Sequence, residues 1–430
     1  MSGTKNAQQV SRVLFRNVRV FDGIGETLSE AMDVLIRDAT IESISPASGA
    51  VPDDLGTVVL DGGGRVLMPG LIDAHWHTMV ATSPLAVFIS VDVGYLNQIA
   101  ARDAERTLMR GFTTVRDAGG PCFGLKRAID EGIVAGPRIY PSGAFISQTG
   151  GHGDFRMRHE VPRDMASPLS HMERIGVSTI ADGADEVLRA AREQLMLGAS
   201  QIKLMAGGGV SSVYDFLDVT QFTEAELHAA VQAAENWGTY VMVHAYTPRA
   251  VAQAIAAGVR SIEHGHLVDE PTVELMAEHE VWWCLQPFLD DEDAIPQPDE
   301  ARRAKSKMLT GGTDPAYELA RKHGVKLAWG TDVLFEAKLA ERQGAQLAKM
   351  VRWFTPAEVL TMATATNAAL LALSGPRNPY PGKLGVVEEG ALADLLLLDG
   401  NPLEQIKLLE DPARTLLAIM KDGKLCKNLL

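Results

Sequence analysis

The chain has 430 residues, of which 46% are apolar and 22% charged, with a formal net charge of −15. That length suits one large domain plus a smaller one, and the acidity, with a pI near 5.2, excludes the basic patches that nucleic acid or an anionic membrane surface requires. Small molecules, and further copies of the chain in a homo-oligomer, are the partners expected instead.

The opening stretch, MSGTKNAQQVSRVLF, lacks the basic start and unbroken apolar core of a signal peptide, and no later stretch reads as a membrane span. A cytoplasmic location is therefore expected. From residue 12 to about 66, RVLFRNVRVFDG, MDVLIRDATIESIS and TVVLDGGGRVLMPG alternate apolar and polar residues between Gly and Asp breaks, which predicts strands. GKLGVVEEGALADLLLLDGNP (382–402) and TLLAIMKDGKLCKNLL (415–430) share that texture. Both chain ends are expected to pair in one small sheet domain, divided as 1–66 and 378–430.

Residues 67–377 alternate strand-like and helix-like segments. Strands are predicted at 67–75, 111–119, 138–146, 200–206, 239–246, 261–266, 281–288 and 325–332. Eight such units spread over roughly 250 residues match an α/β fold of the TIM-type (β/α)8 barrel, whose active site sits at the C-terminal ends of its strands. The helix TEAELHAAVQAAENWG opens on a capping box, Thr223 with Glu226, and stops at Gly238; a second box, Thr355 with Glu358, opens a helix before the C-terminal strands. AGGGVSS (206–212) lacks the Lys-Ser/Thr ending of a phosphate loop and reads as a close-approach loop or tight turn. The acidic stretch 289–307 reads as a solvated loop at the face where lids form. Cys122, Cys284 and Cys426 are far apart, so reduced, mostly buried thiols are expected.

Polar residues gather at the predicted strand ends. His75 and His77 end the first strand two positions apart, and so share a face. Lys203 lies in the fourth strand, His244 ends the fifth, His264 the sixth and Asp332 the eighth, with His152 after the third and His266 nearby. Imidazole and carboxylate suit a divalent ion such as zinc. An ammonium does not, but if Lys203 is carboxylated by carbon dioxide it becomes an anionic ligand able to bridge two ions about 3.5–4 Å apart.

The segments PGLIDAHWH, IKLMAGGGVSS, VHAYTPRA, IEHGHL, WGTD and ALADLLLLDGNP run in this order over nearly the whole chain. They resemble the landmarks of the amidohydrolase superfamily, in the branch of Xaa-Pro dipeptidases, dipeptide carboxypeptidases and ochratoxin-hydrolysing amidases. The resemblance implies that His75, His77 and Asp332 hold one metal, His244 and His264 a second, and carboxylated Lys203 bridges them. It implies a β-sandwich of terminal strands beside the barrel, and hydrogen bonds from His152 and Tyr246 to the substrate carbonyl or carboxylate. Asp332 is expected to take the proton of a metal-bridging hydroxide and pass it to the leaving amine. His266 is expected to contact substrate or to form a structural hydrogen bond, and Arg156, Arg158 and Arg249 are candidate anchors for a substrate carboxylate. The expected reaction is hydrolysis of the amide bond of N-acyl amino acids or dipeptides, ochratoxin A included. Lactone hydrolysis is open to the same nucleophile. A mononuclear deaminase would have no use for Lys203 as ligand, and a non-catalytic scaffold would not fill every ligand position.

Overall fold

In the computed structural model, which describes residues 12–48, 56–161, 167–212 and 214–430, the alternating segments at the N-terminal end form β1 (Arg12–Val20), β2 (Ala31–Arg37), β3 (Thr40–Pro46), β4 (Thr57–Asp61) and β5 (Val66–Pro69). The stretch read for a targeting signal lies, up to residue 11, outside the described residues. The central region forms β6 (Leu71–Trp76), β7 (Phe112–Asp117), β8 (Arg138–Tyr140), β9 (Phe145–Ser147), β10 (Ser178–Ile180), β11 (Ile202–Met205), β12 (Val241–Ala245), β13 (Ser261–His264), β14 (Trp282–Leu285) and β15 (Leu327–Trp329). The C-terminal end adds β16 (Leu395–Leu398), β17 (Leu416–Lys421) and β18 (Lys424–Asn428).

The two chain ends do share a sheet, in the order β18-β17-β16-β5-β1-β2-β3, with β4 also on β1. Its hinge is the antiparallel pair β5 and β16, where Leu67 faces Leu397. The unbroken leucine run of β16 follows from burial on both sides. Leu395 and Leu397 pack with Phe15 and Met420, whereas Leu396 and Leu398 turn into the core with Leu71 and Phe112, as the two-residue period of a strand requires.

The central strands are all parallel and form two hydrogen-bonded sheets, β6-β7-β8 and β10-β9-β11-β12-β13-β14-β15. The single strand expected at 138–146 is two. Pro141 has no N–H to donate and Gly143 takes φ +75°, so the ladder stops at Tyr140 and restarts at Phe145. β10, which is not among the eight expected strands, pairs with β9. The acidic loop is also shorter than expected, because a helix begins at Glu300, capped by Asp299.

Between β15 and β6 side chains replace the ladder. Asn367 Nδ2 donates to Ile72 O and Trp329 O, each at 2.8 Å, and its Oδ1 accepts from Trp329 N at 3.1 Å. Thr331 Oγ1 donates to Asp73 Oδ2 at 2.7 Å, and Asp332 N donates to His75 O at 2.8 Å. Gly330 is needed there, since a Cβ would lie 2.5 Å from the His75 backbone nitrogen. Asn367 follows a π-helical turn, Met362–Thr366, inside the helical run Pro356–Arg377. Contrary to the sequence reading, that run of 22 residues is long and apolar enough to cross a membrane by length and composition. Val359, Leu360, Ala363 and Leu370 instead pack fully buried in the interior.

Asn367→Leu keeps the branched shape but strands three buried backbone groups, at about 1–3 kcal/mol each. A loss of stability of roughly 3 kcal/mol or more is expected, read as a lowered midpoint in calorimetry or denaturant unfolding.

Candidate active site

The C-terminal ends of the parallel strands open into one cavity of about 310 Å³, lined by His75, His77, Lys203, His244, His264 and Asp332 together with His152 and Tyr246. Three of these form its tightest group: the donor atoms of His75, His77 and Asp332 lie within 4.8 Å of one another. His75 Nε2 and His77 Nε2 are each 3.1 Å from Asp332 Oδ1.

Which ring nitrogen carries the proton follows from the outer contacts. His75 Nδ1 lies 2.7 Å from Glu263 Oε2 and His77 Nδ1 lies 2.9 Å from Gly119 O; both partners only accept, so each Nδ1 donates. Each Nε2 then points a lone pair at the Asp332 carboxylate. His75 Nε2 is buried without a hydrogen-bond partner. Electron pairs facing one another in a buried site repel unless a cation lies among them, so this donor set fits a divalent ion.

The neighbouring imidazoles are prepared in the same way. His264 Nδ1 donates to Gln286 Oε1 at 2.7 Å and His244 Nε2 to Gly208 O at 3.1 Å, leaving His264 Nε2 and His244 Nδ1 as free lone pairs. Their ring centroids are 4.5 Å apart. Burial pushes both imidazoles well below their usual pKa, so both are neutral. Burial opposes the charge on Asp332; positive charge on the adjoining His75 and His264 would hold its carboxyl well below the usual range, and with these rings neutral that part falls to a cation among the donors. Lys203 is 1% exposed, and burial lowers its pKa against the pull of Glu263 and Asp332. His264 and Asp332 both take left-handed φ, +79° and +52°, a conformation rare for side-chain-bearing residues and concentrated at functional sites.

Sequence reasoning missed what lies beneath. Arg116 and Glu263, both fully buried, pair at 2.8 and 2.7 Å through one guanidinium nitrogen. Arg116 Nε also donates to Ala74 O at 2.6 Å, and Ser261 Oγ to Glu263 Oε1 at 2.6 Å. Burial disfavours the Glu263 charge, yet Arg116, His75 and Lys203 together outweigh it and hold its pKa below the usual range. Strand alternation placed Glu263 opposite His264 and so away from it; the positive φ of His264 lets Glu263 point inward while its neighbour reaches the mouth. Asp117, the last residue of β7, accepts from Thr78 N at 2.9 Å beside His77.

The walls correct several expectations. His152 stacks on His244 at 4.2 Å, with Nδ1 2.8 Å from Ser212 Oγ. The glycine-rich loop is a close-approach loop: a Cβ on Gly209 would meet the His152 ring at 2.0 Å. Tyr246 lies 4.8 Å from His244 and 5.0 Å from His264, centroid to centroid. His266 stands off the cavity, stacked on Phe288 at 4.9 Å and donating from Nε2 to Gln286 O at 3.0 Å; burial lowers its pKa to about 4. Of the three arginines proposed as anchors, Arg249 and Arg158 are exposed and do not line the cavity. Arg156 is buried with its fork taken by Asp154, at 2.8 and 2.6 Å. Residues 287–289 and 293–298 line the cavity, while Asp290 and Glu292 between them are exposed as a solvated loop would be. Asp293 pins them by pairing with Arg342 and with Lys349 at 2.6 Å.

The sequence profile of the amidohydrolase family matches residues 66–426. The chain belongs to the amidohydrolase family. It is a hydrolytic enzyme that acts on amide bonds. It is 34% identical to the ochratoxinase of Aspergillus niger over 390 residues, 84% of this chain and 76% of that one. A prolidase solved in complex with N-methylphosphonate-L-proline superposes with a TM-score of 0.87 at 35% identity, covering 97% of this chain and 100% of that one. A Xaa-Pro dipeptidase with methionine bound in its active site superposes with a TM-score of 0.82 at 30% identity, covering 96% and 99%.

Glu263→Gln leaves Arg116 as an uncompensated buried charge, so a loss of about 3–5 kcal/mol is expected. Adding Arg116→Met removes that charge, and unfolding of the double variant should show part of the loss recovered.

Proposed function

We propose that this enzyme hydrolyses the amide bond joining an acyl group to a C-terminal amino acid, as in N-acyl amino acids and dipeptides, with ochratoxin A within reach. The observation that carries the reading is the convergence of His75, His77 and Asp332 around a point where a buried nitrogen has no partner. Ochratoxinase and prolidase relatives support the class of bond. In this reading the two parallel sheets are arcs of one (β/α)8 barrel, and the terminal strands its companion sandwich.

Two divalent ions, zinc by preference of the donor set, would be held by His75, His77 and Asp332 and by His244 and His264, with Lys203 carboxylated between them. Such ions supply a water acidified towards neutral pH and polarise the substrate carbonyl. The chain's own groups do the rest. Asp332, as the carboxylate, accepts a proton and returns it to the leaving amine. Tyr246, whose hydroxyl burial keeps protonated, donates to the substrate carbonyl oxygen as it gains charge. His152, fixed by its stack on His244 and its bond to Ser212, presents its outer edge to the substrate. Neutral Lys203, favoured by burial, is the form that reacts with carbon dioxide.

Lys203→Ala should lower bound metal, measured by elemental analysis, from about two ions per chain to one or fewer and abolish most turnover, with partial rescue by a short carboxylic acid. A metal-replete, active variant would refute the bridge. For the substrate, an N-acyl-phenylalanine should exceed its C-terminal amide in kcat/KM by at least about tenfold, since a site that pairs with a carboxylate rejects analogues lacking the charge.

A further inference from the structure

A substrate of this class carries its free carboxylate on the carbon bonded to the scissile nitrogen, so it needs a cation facing the same cavity on the leaving-group side, because burying that charge unpaired is costly. Among the described residues, the lysine and arginine side chains lining the cavity are Lys203 and Arg302. Lys203 is buried on the floor, among the metal-site donors. Arg302 lies in the first turn of the helix Glu300–His323, half-buried at 21% side-chain exposure.

We propose that Arg302 is the specificity residue that binds the free carboxylate of the substrate, an inference that rests on the amidase reading above. The helix presents Arg302, Ser306 and Thr310 to the cavity, one turn apart, with Leu309 between them. A guanidinium fork matches a carboxylate through two parallel hydrogen bonds, which the Ser306 hydroxyl one turn on can supplement. The positive end of the helix adds to the attraction for an anion. The guanidinium is held in place lightly: Arg302 Nη1 is 3.5 Å from Asp299 Oδ2, a contact beyond good hydrogen-bond length, while Asp299 caps the helix by accepting from Arg302 N at 2.8 Å. Asp299 thus orients the first turn and leaves most of the guanidinium donors open. The same cavity is lined by the apolar side chains of Phe155, Pro287, Phe288, Ile295 and Leu309, so the residue released would carry an apolar or aromatic side chain or be proline.

The test uses the full-length, zinc-loaded enzyme with N-acetylphenylalanine and N-acetylphenylalaninamide, which share the same scissile bond. In Arg302→Gln the free-acid preference should collapse to within about threefold of unity, mainly through a raised KM, and in Arg302→Lys it should recover in part. Calorimetric titration with phenylalanine should show binding weakened at least tenfold in Arg302→Gln. Circular dichroism and metal content verify that each variant is folded and loaded. A wild type that prefers the free acid together with an Arg302→Gln variant that keeps this preference and its phenylalanine affinity overturns the role of Arg302 while leaving the amidase reading intact. A wild type that hydrolyses both equally overturns the carboxylate site while amide hydrolysis stands, and one that hydrolyses neither overturns the proposed substrate class and the carboxylate site with it.

Discussion

The site depends on one buried ion pair. Arg116 and Glu263 sit among the parallel strands with no exposure, where either charge alone would be prohibitive and the two together stand only because every donor and acceptor is met. Ala74, Ser261 and Tyr240 supply the remaining partners. The pair ties β6, β7 and β13 to one another, and its second product is the orientation of His75: the Glu263 carboxylate accepts from Nδ1 and so commits Nε2 to the cavity. The candidate ligand His75 is thus set by a carboxylate that does not line the cavity, the same means by which metal-binding histidines are usually fixed in tautomer and direction.

The rest of the floor follows the same rule. Gly119 O fixes His77, Gln286 fixes His264 and Gly208 O fixes His244. Each acceptor belongs to a loop just past a strand end, where the chain leaves the ladder and its polar groups are free to be used. The seam between β15 and β6 belongs to this scheme, since the Asp332 backbone bonds His75 O while its carboxylate meets the two histidine rings. Closing the seam and forming the tight donor group are therefore one event.

Above the floor the enzyme changes character. The wall is apolar and formed largely by the segment from Pro287 to Thr310, which brings both the proline-rich rim and Arg302. Ionic contacts from Asp293 to Arg342 and Lys349 hold that segment to the body. In the proposed reading, chemistry and selectivity reside on different parts of the chain, strand ends for the first and the long segment after β14 for the second.

The sequence by itself determined the alternation of strands and helices, the pairing texture of the two chain ends, and the set His75, His77, Lys203, His244, His264 and Asp332, because period-two patterns and residues at strand ends are local properties of the chain. It did not determine that residues 138–146 break into two strands, although Pro141 and Gly143 were visible, because the ladder partner on each side was unknown. Arg156, Arg158 and Arg249 looked equivalent in sequence to any arginine near the mouth, and only packing showed two of them in solvent and one consumed by Asp154. Arg302 was hidden within a charged stretch that read as solvated. Glu263 was hidden by strand alternation, which a left-handed residue at His264 breaks. Tertiary structure decided these points because the partner that uses up a charge, or frees it, lies tens to hundreds of residues away, and no local pattern records it.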